Sequence, residues 1–258
     1  MEDRIVEFEE VKNCRTLGGL VSADGRRVAP GVLYRSAFLA NATPEDLRRL
    51  RQELGVTLVV DLRTTREREE KPDRVPEGAR YSPRPVFDER REGVSHESEP
   101  SPPPPGEIPP MEDVYRLMAG DERCRANLGA TLREIMEHVL SGGTALWHCT
   151  EGKDRCGLVS AFLLSALGVT RAAVREDYLL TNRENAPKAE RIRAEVLAEG
   201  KTPEEADRIR DLVLAKGSYF DAAFEIIDER FGGVDAYLRE GLGLSEELLR
   251  AFRTSALV

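Results

Sequence analysis

One segment of this 258-residue chain combines the residue types that attack and hold a phosphoryl group. Cys149 is separated by five residues from Arg155, and glycines stand inside and after this stretch. A cysteine thiolate is a strong nucleophile, and the planar guanidinium of an arginine can grip two phosphoryl oxygens at once. The spacing therefore predicts a phosphate-binding loop with a thiol nucleophile. Its full sequence is His148-Cys149-Thr150-Glu151-Gly152-Lys153-Asp154-Arg155-Cys156-Gly157.

The position of this loop between a strand and a helix supports the prediction. Backbone N–H groups of such a loop and of the following helix N-terminus point at a bound anion, and their partial positive charge favours the thiolate form of a cysteine. Gly152 lets the backbone turn and come close to the ligand. We therefore expect Cys149 to be the nucleophile and residues 150–155 to surround the phosphate. A buried structural cysteine is the alternative, but it leaves the arginine and glycine offsets unexplained.

Strands and helices on both sides must hold this loop in place. Three short runs of strand-forming residues occur, at 32–35, 57–61 and 144–148, and the last leads directly into the loop. The second run is apolar without alternation, which is typical of a strand covered on both faces. The Thr43-Pro44 pair provides an N-cap and a first helical residue, so a helix is predicted from about 44 to 54. The order strand, helix, strand indicates a parallel crossover.

Helical periodicity dominates the rest of the chain. The segment 158–167 is almost continuously apolar and predicts a buried central helix. Segments 185–198 and 203–215 carry narrow apolar stripes among many charges, so these two helices should pack lightly. By contrast, residues 95–110 contain seven of the fifteen prolines, which predicts a flexible loop. Further helices are predicted near 111–119, 125–140, 219–230, 234–240 and 245–253.

Composition and charge exclude several classes of protein. A hydrophobic content of 40% in 258 residues can form a sizeable core, which excludes a wholly disordered chain. The formal net charge of -9 argues against a general nucleic-acid binder, because the phosphate backbone favours a basic surface. No run approaches the roughly 18 to 20 apolar residues that span a bilayer, and the acidic start does not resemble a secretory signal. We expect no stable membrane insertion and a cytoplasmic location, with leaderless secretion left open.

The number and spacing of the cysteines predict free thiols. Cys14, Cys124, Cys149 and Cys156 are too few and too scattered for a disulfide scaffold. They also lack the Cys-x2-Cys spacing that is typical of a structural zinc site. Reduced thiols in a cytoplasm are therefore expected, one of which is reactive.

The loop resembles the Cys-x5-Arg signature of protein tyrosine phosphatases, in particular of a bacterial group whose loop typically reads His-Cys-x-x-Gly-Lys-Asp-Arg-Thr-Gly. The resemblance implies an α/β fold of the tyrosine-phosphatase type in one catalytic domain over 1–258. A small, parallel-rich central sheet would be flanked by helices, with a two-helix lid at 183–216 inserted over the active site. Other segments that resemble motifs of this group are 13–19, 33–36, 60–63 with Glu67, and 178–182.

For the loop, the resemblance implies hydrolysis of phosphate monoesters through a phosphocysteine intermediate. Cys149 would be the nucleophile, Arg155 would bind the phosphate and the transition state, and loop N–H groups would stabilise the negative charge. Neither a metal nor a cofactor is implied. Phosphotyrosine is the expected substrate, with phosphoserine and phosphothreonine open. Lys153 adds charge suited to doubly phosphorylated proteins or phosphoinositides.

Two aspartates are candidates for the general acid that protonates the leaving group. Asp154, beside Arg155, resembles the in-loop acid of the bacterial group. Asp61, at the end of a predicted strand, is the second candidate, although pairing with an arginine at the loop rim would explain it equally well. His148 is expected to orient the loop by hydrogen bonding rather than to act as a base.

Three positions depart from the family pattern. Cys156 stands where a Thr or Ser hydroxyl normally donates a hydrogen bond to the nucleophile, so slower hydrolysis of the intermediate is expected. This second thiol also suggests a reversible disulfide with Cys149, or else a tolerated small substitution. Cys14 replaces an aromatic or aliphatic residue, and Thr16 replaces the usual Asp. Arg15, between them, is expected to support the loop by bonding to its backbone.

Two other functions remain compatible with the sequence. Sulfur-transfer and arsenate-reductase enzymes also use a cysteine in an anion-binding loop that follows a strand. A phosphate-dependent binding module, or pseudophosphatase, would result if Cys156 weakened catalysis. The Lys-Asp-Arg string and the presence of both Cys149 and Arg155 favour a phosphatase over these alternatives.

Overall fold

The computed structural model describes residues 4–87 and 110–258, and a five-stranded sheet lies at the centre of this part of the chain. Its strands are β1 (Arg15–Thr16), β2 (Leu33–Ser36), β3 (Val56–Asp61), β4 (Arg80–Pro83) and β5 (Thr144–His148). They are ordered β1-β2-β5-β3-β4, and β1 is antiparallel to β2 whereas the other neighbours are parallel. The carboxyl ends of the parallel strands therefore meet at one edge, where ligands of such sheets bind.

The expected α/β fold with a parallel-rich sheet is confirmed. The three strands that follow from apolar runs are present as β2, β3 and β5, with ends within a residue of those predicted. β2 and β3 run in the same direction as expected, but β5 lies between them. The sequence analysis missed β1 and β4, because strands of two and four residues with polar side chains give no apolar run.

Helices surround the sheet. They are α1 (Pro44–Gln52), α2 (Thr65–Glu70), α3 (Met111–Gly120), α4 (Glu122–Leu140), α5 (Asp154–Ala166), α6 (Arg171–Leu179), α7 (Asn182–Ala198), α8 (Pro203–Val213), α9 (Gly217–Phe231), α10 (Val234–Ala236) and α11 (Glu246–Ala256), with a π-helical turn at Tyr237–Gly241. The single helix predicted at 234–240 is thus α10 followed by the π-helical turn. α2 was not predicted, because its six residues are all polar.

Strand side chains alternate between two hydrophobic clusters, one on each face of the sheet. Val59 and Leu146 pack in the smaller cluster with Leu50 of α1. Leu58 and Trp147 pack in the larger cluster, which is built mainly from the helices after residue 110. Because β3 and β5 are covered on both faces, their ends are fixed at the edge where the loop begins.

The central helix and the two outer helices differ in burial as predicted. Every residue of α5 is buried, and the helix begins at Asp154 rather than at 158, so the loop arginine lies in its first turn. Among their described residues, α7 buries only Asn185, Ala189 and Val196, and α8 buries only Ala206.

Two sequence-based expectations have different outcomes. The proline-rich segment 95–110 lies outside the described residues except for Pro110, so its flexibility stays a prediction. In the part of the chain that is described, no helix has both the length and the apolar character needed to cross a bilayer.

Candidate active site

The loop after β5 is buried almost throughout. Cys149, Lys153 and Arg155 have 0%, 2% and 3% of their surface exposed, and Glu151 is the partly exposed member of the segment 148–157. Gly152 has φ +67°, and a Cβ there would lie 2.5 Å from the carbonyl oxygen of Ser36. Only glycine fits this backbone, as the sequence predicted. The loop ends at the N-terminus of α5, where the helix dipole favours an anion.

Glu67 of α2 holds the loop arginine. Its Oε2 accepts from Nη1 of Arg155 at 2.7 Å, and its Oε1 accepts from Nη2 at 2.8 Å. Oε1 also accepts from Oγ1 of Thr150 at 2.7 Å, and the backbone N–H of Thr64 donates to Oε2 at 2.8 Å. Burial raises the pKa of Glu67, but the charge and hydrogen bonds of Arg155 outweigh it and lower the pKa to about 2. Glu67 is thus a permanent carboxylate that fixes the guanidinium plane.

His148 contacts both the loop and two aspartates, and its Nδ1 lies near Asp61 as well as near Cys149. Its Nδ1 lies 3.2 Å from the carbonyl oxygen of Cys149, and its Nε2 lies 3.0 Å from Oδ2 of Asp73. Its ring is fully buried. Burial lowers the pKa of His148, but the charges of Asp73 and Asp61 outweigh burial and raise that pKa above its ordinary value. These contacts fit the expected orienting role of His148.

Asp61 is paired with an arginine rather than open to a substrate. Arg63 donates to its carboxylate through Nε at 3.0 Å and Nη2 at 2.7 Å, and the hydroxyl of Tyr81 donates at 2.7 Å. Burial raises the pKa of Asp61, but His148 and Arg63 outweigh it and hold that pKa well below its ordinary range. Since a general acid must carry a proton, this environment favours the pairing interpretation of Asp61.

The structure brings Asp61, Asp73 and His148 close enough together to raise the question of a metal site. Their ligand atoms are all within 4.8 Å of one another. However, Nη2 of Arg63 lies 2.7 Å from Asp61 and 2.8 Å from Asp73, so a guanidinium already occupies the cationic position between the carboxylates. This cluster is therefore a network of paired charges behind the loop, in which the arginine takes the place that a metal ion would need.

Asp154, the first residue of α5, is held by a tyrosine. Oδ1 accepts from the hydroxyl of Tyr115 at 2.5 Å, and this hydroxyl lies 2.8 Å from that of Tyr178. Oδ2 lies 3.5 Å from Nζ of Lys153. Burial and the charge of Asp154 raise the pKa of Tyr115 well above its ordinary value, so Tyr115 stays a protonated donor.

Asn13 and Arg35 hold the loop from behind. Nδ2 of Asn13 donates to the carbonyl oxygens of Glu151 and Gly152, both at 3.0 Å, and Nη2 of Arg35 donates to that of Gly152 at 2.6 Å. In a trans peptide the C=O and N–H point in opposite directions. The N–H groups of Gly152 and Lys153 therefore point away from these braces, towards the inside of the loop.

Arg15 does not bond to the loop backbone, contrary to expectation. Its guanidinium donates to the carboxylate and carbonyl of Asp177, to Oγ1 of Thr181 and, at 2.7 Å, to Oδ1 of Asn13. Arg15 therefore supports the loop indirectly, because it holds the side-chain amide of Asn13, which in turn bonds to the loop. The physical reason is that buried Asp177 attracts the arginine more strongly than neutral carbonyls do.

Cys156 lies on α5. None of the four cysteines, all of which are among the described residues, forms a disulfide. The Sγ of Cys156 donates to the carbonyl oxygen of Trp147 at 3.6 Å. Burial raises the pKa of the Cys156 thiol despite the nearby charges of Arg35 and Arg15. The predicted reversible disulfide with Cys149 stays a prediction.

The helices α7 and α8 contact the loop through polar groups. Nζ of Lys188 on α7 lies 2.7 Å from Oε1 of Glu151, and Lys153 donates to the carbonyl oxygen of Leu212 on α8. Asn185 joins the two helices by donating to the carbonyl of Val213 at 2.9 Å. Through these contacts α7 and α8 lie against the loop.

The structure brings most of the predicted site residues together. Residues 148–156 form the loop and the first turn of α5. Asp61 lies behind His148, and Arg15 lies behind Asn13. Sequence reasoning missed the roles of Glu67, Tyr115, Asn13, Arg35 and Asp73. One signal was available: Thr64-Thr65-Arg66-Glu67 is a capping-box sequence, and Glu67 does bond back to Thr64.

Comparisons with known proteins found related sequences and a solved structure. A sequence model of the Tyrosine phosphatase family matches residues 6–258. A candidate tyrosine-protein phosphatase of Cupriavidus necator is 35% identical over 246 residues, covering 94% of this chain and 86% of that protein. The triple specificity protein phosphatase PtpB of Mycobacterium tuberculosis is 31% identical over 251 residues, covering 87% and 90%. The crystal structure of P. aeruginosa TpbA has a TM-score of 0.36 and 18% identity, covering 73% of this chain and 89% of that one.

Proposed function

This chain belongs to the tyrosine phosphatase family, and on that premise we propose that it hydrolyses phosphate monoesters through a phosphocysteine intermediate on Cys149. It is a protein-tyrosine phosphatase, an enzyme that acts on phosphotyrosine. The observation that carries the proposal is the grouping of Cys149, Asp154 and Arg155 on one buried loop at the N-terminus of α5. A nucleophile, an acid and an anion ligand are thereby held within one turn.

In the first step the thiolate of Cys149 attacks phosphorus in line with the ester oxygen. An S–P bond forms, the P–O bond to the leaving group breaks, and protonated Asp154 gives its proton to the leaving oxygen. Arg155 and the inward N–H groups stabilise the charge on the three remaining oxygens. Glu67 holds the guanidinium of Arg155 in place through Nη1 and Nη2.

In the second step a water molecule attacks the phosphocysteine. Asp154, now a carboxylate, takes a proton from this water, an O–P bond forms, and the S–P bond breaks. Inorganic phosphate and the thiolate of Cys149 are released. Asp154 is assigned this work in preference to Asp61, because Arg63 holds Asp61 as a paired carboxylate.

The range of substrates is proposed to extend beyond phosphotyrosine. The relative from Mycobacterium tuberculosis is named a triple specificity protein phosphatase, which supports activity on phosphoserine and phosphothreonine. Lys153, buried beneath α8, would add a cation beside the phosphate and supports activity on phosphoinositides. α7 and α8, within 183–216, would act as the lid whose opening admits these substrates.

The chain is proposed to be one catalytic domain over 1–258, acting in a reducing cytoplasm on phosphorylated proteins. The family match over residues 6–258 supports one domain, and the four free thiols support a reducing compartment.

Turnover of p-nitrophenyl phosphate by the reduced protein tests the proposal. Cys149→Ser should lower kcat/KM by at least about 10⁴-fold, because the nucleophile is lost. Cys124→Ser is a matched control at a buried cysteine of α4, and should retain activity. Turnover by Cys149→Ser close to that of the unmodified protein would contradict the covalent mechanism.

A further inference from the structure

Tyr115 contacts the proposed general acid from an element that is distant in sequence. It lies on α3, is fully buried, and donates to Oδ1 of Asp154 at 2.5 Å. Its ring packs against Tyr178 of α6 and Tyr219 of α9, with centroid distances of 6.1 and 5.8 Å. A tyrosine in an amphipathic helix is ordinarily a core residue, but the hydroxyl of Tyr115 contacts Asp154, where the loop ends.

The direction of the hydrogen bonds around Tyr115 can be assigned by counting protons. A tyrosine hydroxyl has one proton to donate and can also accept. Since Tyr115 donates to Asp154, its 2.8 Å contact with the hydroxyl of Tyr178 requires Tyr178 to be the donor. The result is a buried chain from Tyr178 to Tyr115 to Asp154, in which each bond strengthens the next.

We propose that Tyr115, supported by Tyr178, is a positioning residue that fixes Oδ1 of Asp154 and so presents Oδ2 to the leaving-group oxygen. This inference rests on the proposed role of Asp154 as general acid. A carboxyl group on a helix can rotate about its side-chain bonds, and a bond at one oxygen removes this freedom. Within residues 4–87 and 110–258, the contact of Oδ2 is with Nζ of Lys153, at the longer distance of 3.5 Å.

The proposal predicts which substrates depend on Tyr115. A poor leaving group needs a proton as its P–O bond breaks, whereas a strongly acidic phenol leaves without one. Loss of the Tyr115 hydroxyl should therefore weaken the reaction in proportion to the basicity of the leaving group. Phosphate binding, which uses Arg155 and loop N–H groups, should stay the same.

The experiment measures kcat/KM for a series of aryl phosphates whose phenols range from strongly to weakly acidic. Tyr115→Phe should lower kcat/KM by about 10-fold to 100-fold for phenyl phosphate, a fraction of the 10² to 10⁴ that a general acid provides, and by less than about 3-fold for dinitrophenyl phosphate. Tyr237→Phe is the matched control, because it removes another buried hydroxyl bonded to α3, at the carbonyl of Ala119. It should leave the whole series unchanged.

Asp154→Asn, measured on the same series, separates this inference from the proposed function. A steep dependence on the leaving group in Asp154→Asn but a flat one in Tyr115→Phe would overturn the role of Tyr115 alone. A flat dependence in Asp154→Asn would overturn the general acid, and the inference with it.

Two further readouts guard against a general loss of structure in Tyr115→Phe. Its inhibition constant for inorganic phosphate should equal that of the unmodified protein, and an equal loss across all substrates would count against the proposal. Tyr178→Phe leaves the Tyr115 bond in place and removes only its support. In Tyr178→Phe, the loss of kcat/KM should also grow with the basicity of the leaving group, but by less than in Tyr115→Phe. The proposal would be overturned if neither variant showed this dependence.

Discussion

The catalytic loop and the helices that cover it are held by different kinds of contact. The loop is braced by buried groups, with Glu67 on Arg155 and with Asn13 and Arg35 on its carbonyl oxygens. α7 and α8 bury few of their described side chains and meet the loop through the pair Lys188–Glu151 and the bond from Lys153. The braces of the loop are buried, whereas the pair Lys188–Glu151 is partly exposed to water.

This difference corresponds to the tasks of the two regions. Buried, charge-assisted hydrogen bonds are strong and costly to break, so they suit groups that must keep their positions during the reaction. Exposed ion pairs contribute little, because water solvates both partners when they separate. The lid role proposed for α7 and α8 is compatible with such a pair, because the contact between Lys188 and Glu151 costs little to break.

Among the contacts that brace or cover the loop, the largest effect is expected from removing Glu67. Glu67→Ala would remove the carboxylate that pairs with the buried guanidinium of Arg155, and breaking such a buried pair costs about 3–5 kcal/mol of unfolding free energy. Because the plane of Arg155 is no longer fixed, kcat/KM should also fall by about 100-fold or more. Denaturant unfolding and aryl phosphate kinetics measure the two effects.

Glu134→Ala provides the control for this prediction. Glu134 pairs with Arg80 and Arg84, whose side chains are 54% and 41% exposed, away from the loop. It should leave kcat/KM nearly unchanged. Equal values of kcat/KM for Glu67→Ala and Glu134→Ala would show that Glu67 does not support catalysis.

A smaller effect is expected at Asn13, which has φ +52°. Asn13→Gly keeps this left-handed backbone accessible and removes the two bonds to the loop carbonyls, together with the bond that Asn13 accepts from Arg15. The unfolding free energy should fall by about 1–2 kcal/mol, and the affinity for inorganic phosphate should weaken, since the loop N–H groups are held less firmly. Unchanged phosphate affinity would show that the loop keeps its shape without this brace.

The charge network behind the loop should make stability depend on pH. His148 has a raised pKa when folded, so its contribution is fully present below its unfolded value of about 6.5 and is lost as the pH rises through the folded value. The unfolding free energy should therefore fall as the pH rises from neutral to alkaline. Asp73→Asn should reduce this fall, because the charge of Asp73 helps to raise the pKa of His148. Parallel curves for the two proteins would contradict this role of Asp73.

The smallest effect is expected from the cover. Lys188→Met breaks the pair with Glu151, whose side chains are 38% and 26% exposed, and this should cost less than about 1 kcal/mol. Hydrogen exchange should quicken in α7 while α5 stays protected, with kcat/KM within about 3-fold of the unmodified protein. Arg171→Met breaks a somewhat more exposed pair with Asp228 and should leave α7 unchanged. Faster exchange in α5 as well would mean that the two regions are not independent.

The sequence was sufficient to predict the parts of the fold that local patterns encode. β3 and β5 follow from apolar runs, α1 from the cap at Thr43, and the loop from its residue spacing. α5 was predicted to start too late, because Asp154 and Arg155 look like loop residues although they form its first turn. Local signals therefore locate the nucleophile and its arginine.

The braces could not be predicted, because they depend on contacts between distant segments. Glu67 lies 88 positions from Arg155, and Asn13 lies 139 positions from Gly152. β1 is two residues long and has no pattern of its own. Tyr115 has the spacing of an ordinary core residue, so only the folded packing reveals that its hydroxyl faces Asp154.

The most direct test of the central claim is to trap the covalent intermediate. Asp154→Asn should slow hydrolysis of the phosphocysteine, while dinitrophenyl phosphate still drives its formation because this leaving group needs no proton. Rapid acid quenching followed by mass spectrometry of peptides should find the phosphoryl group on Cys149. Steady release of phenol with no phosphoryl group on Cys149, or with one on another residue, would contradict the account.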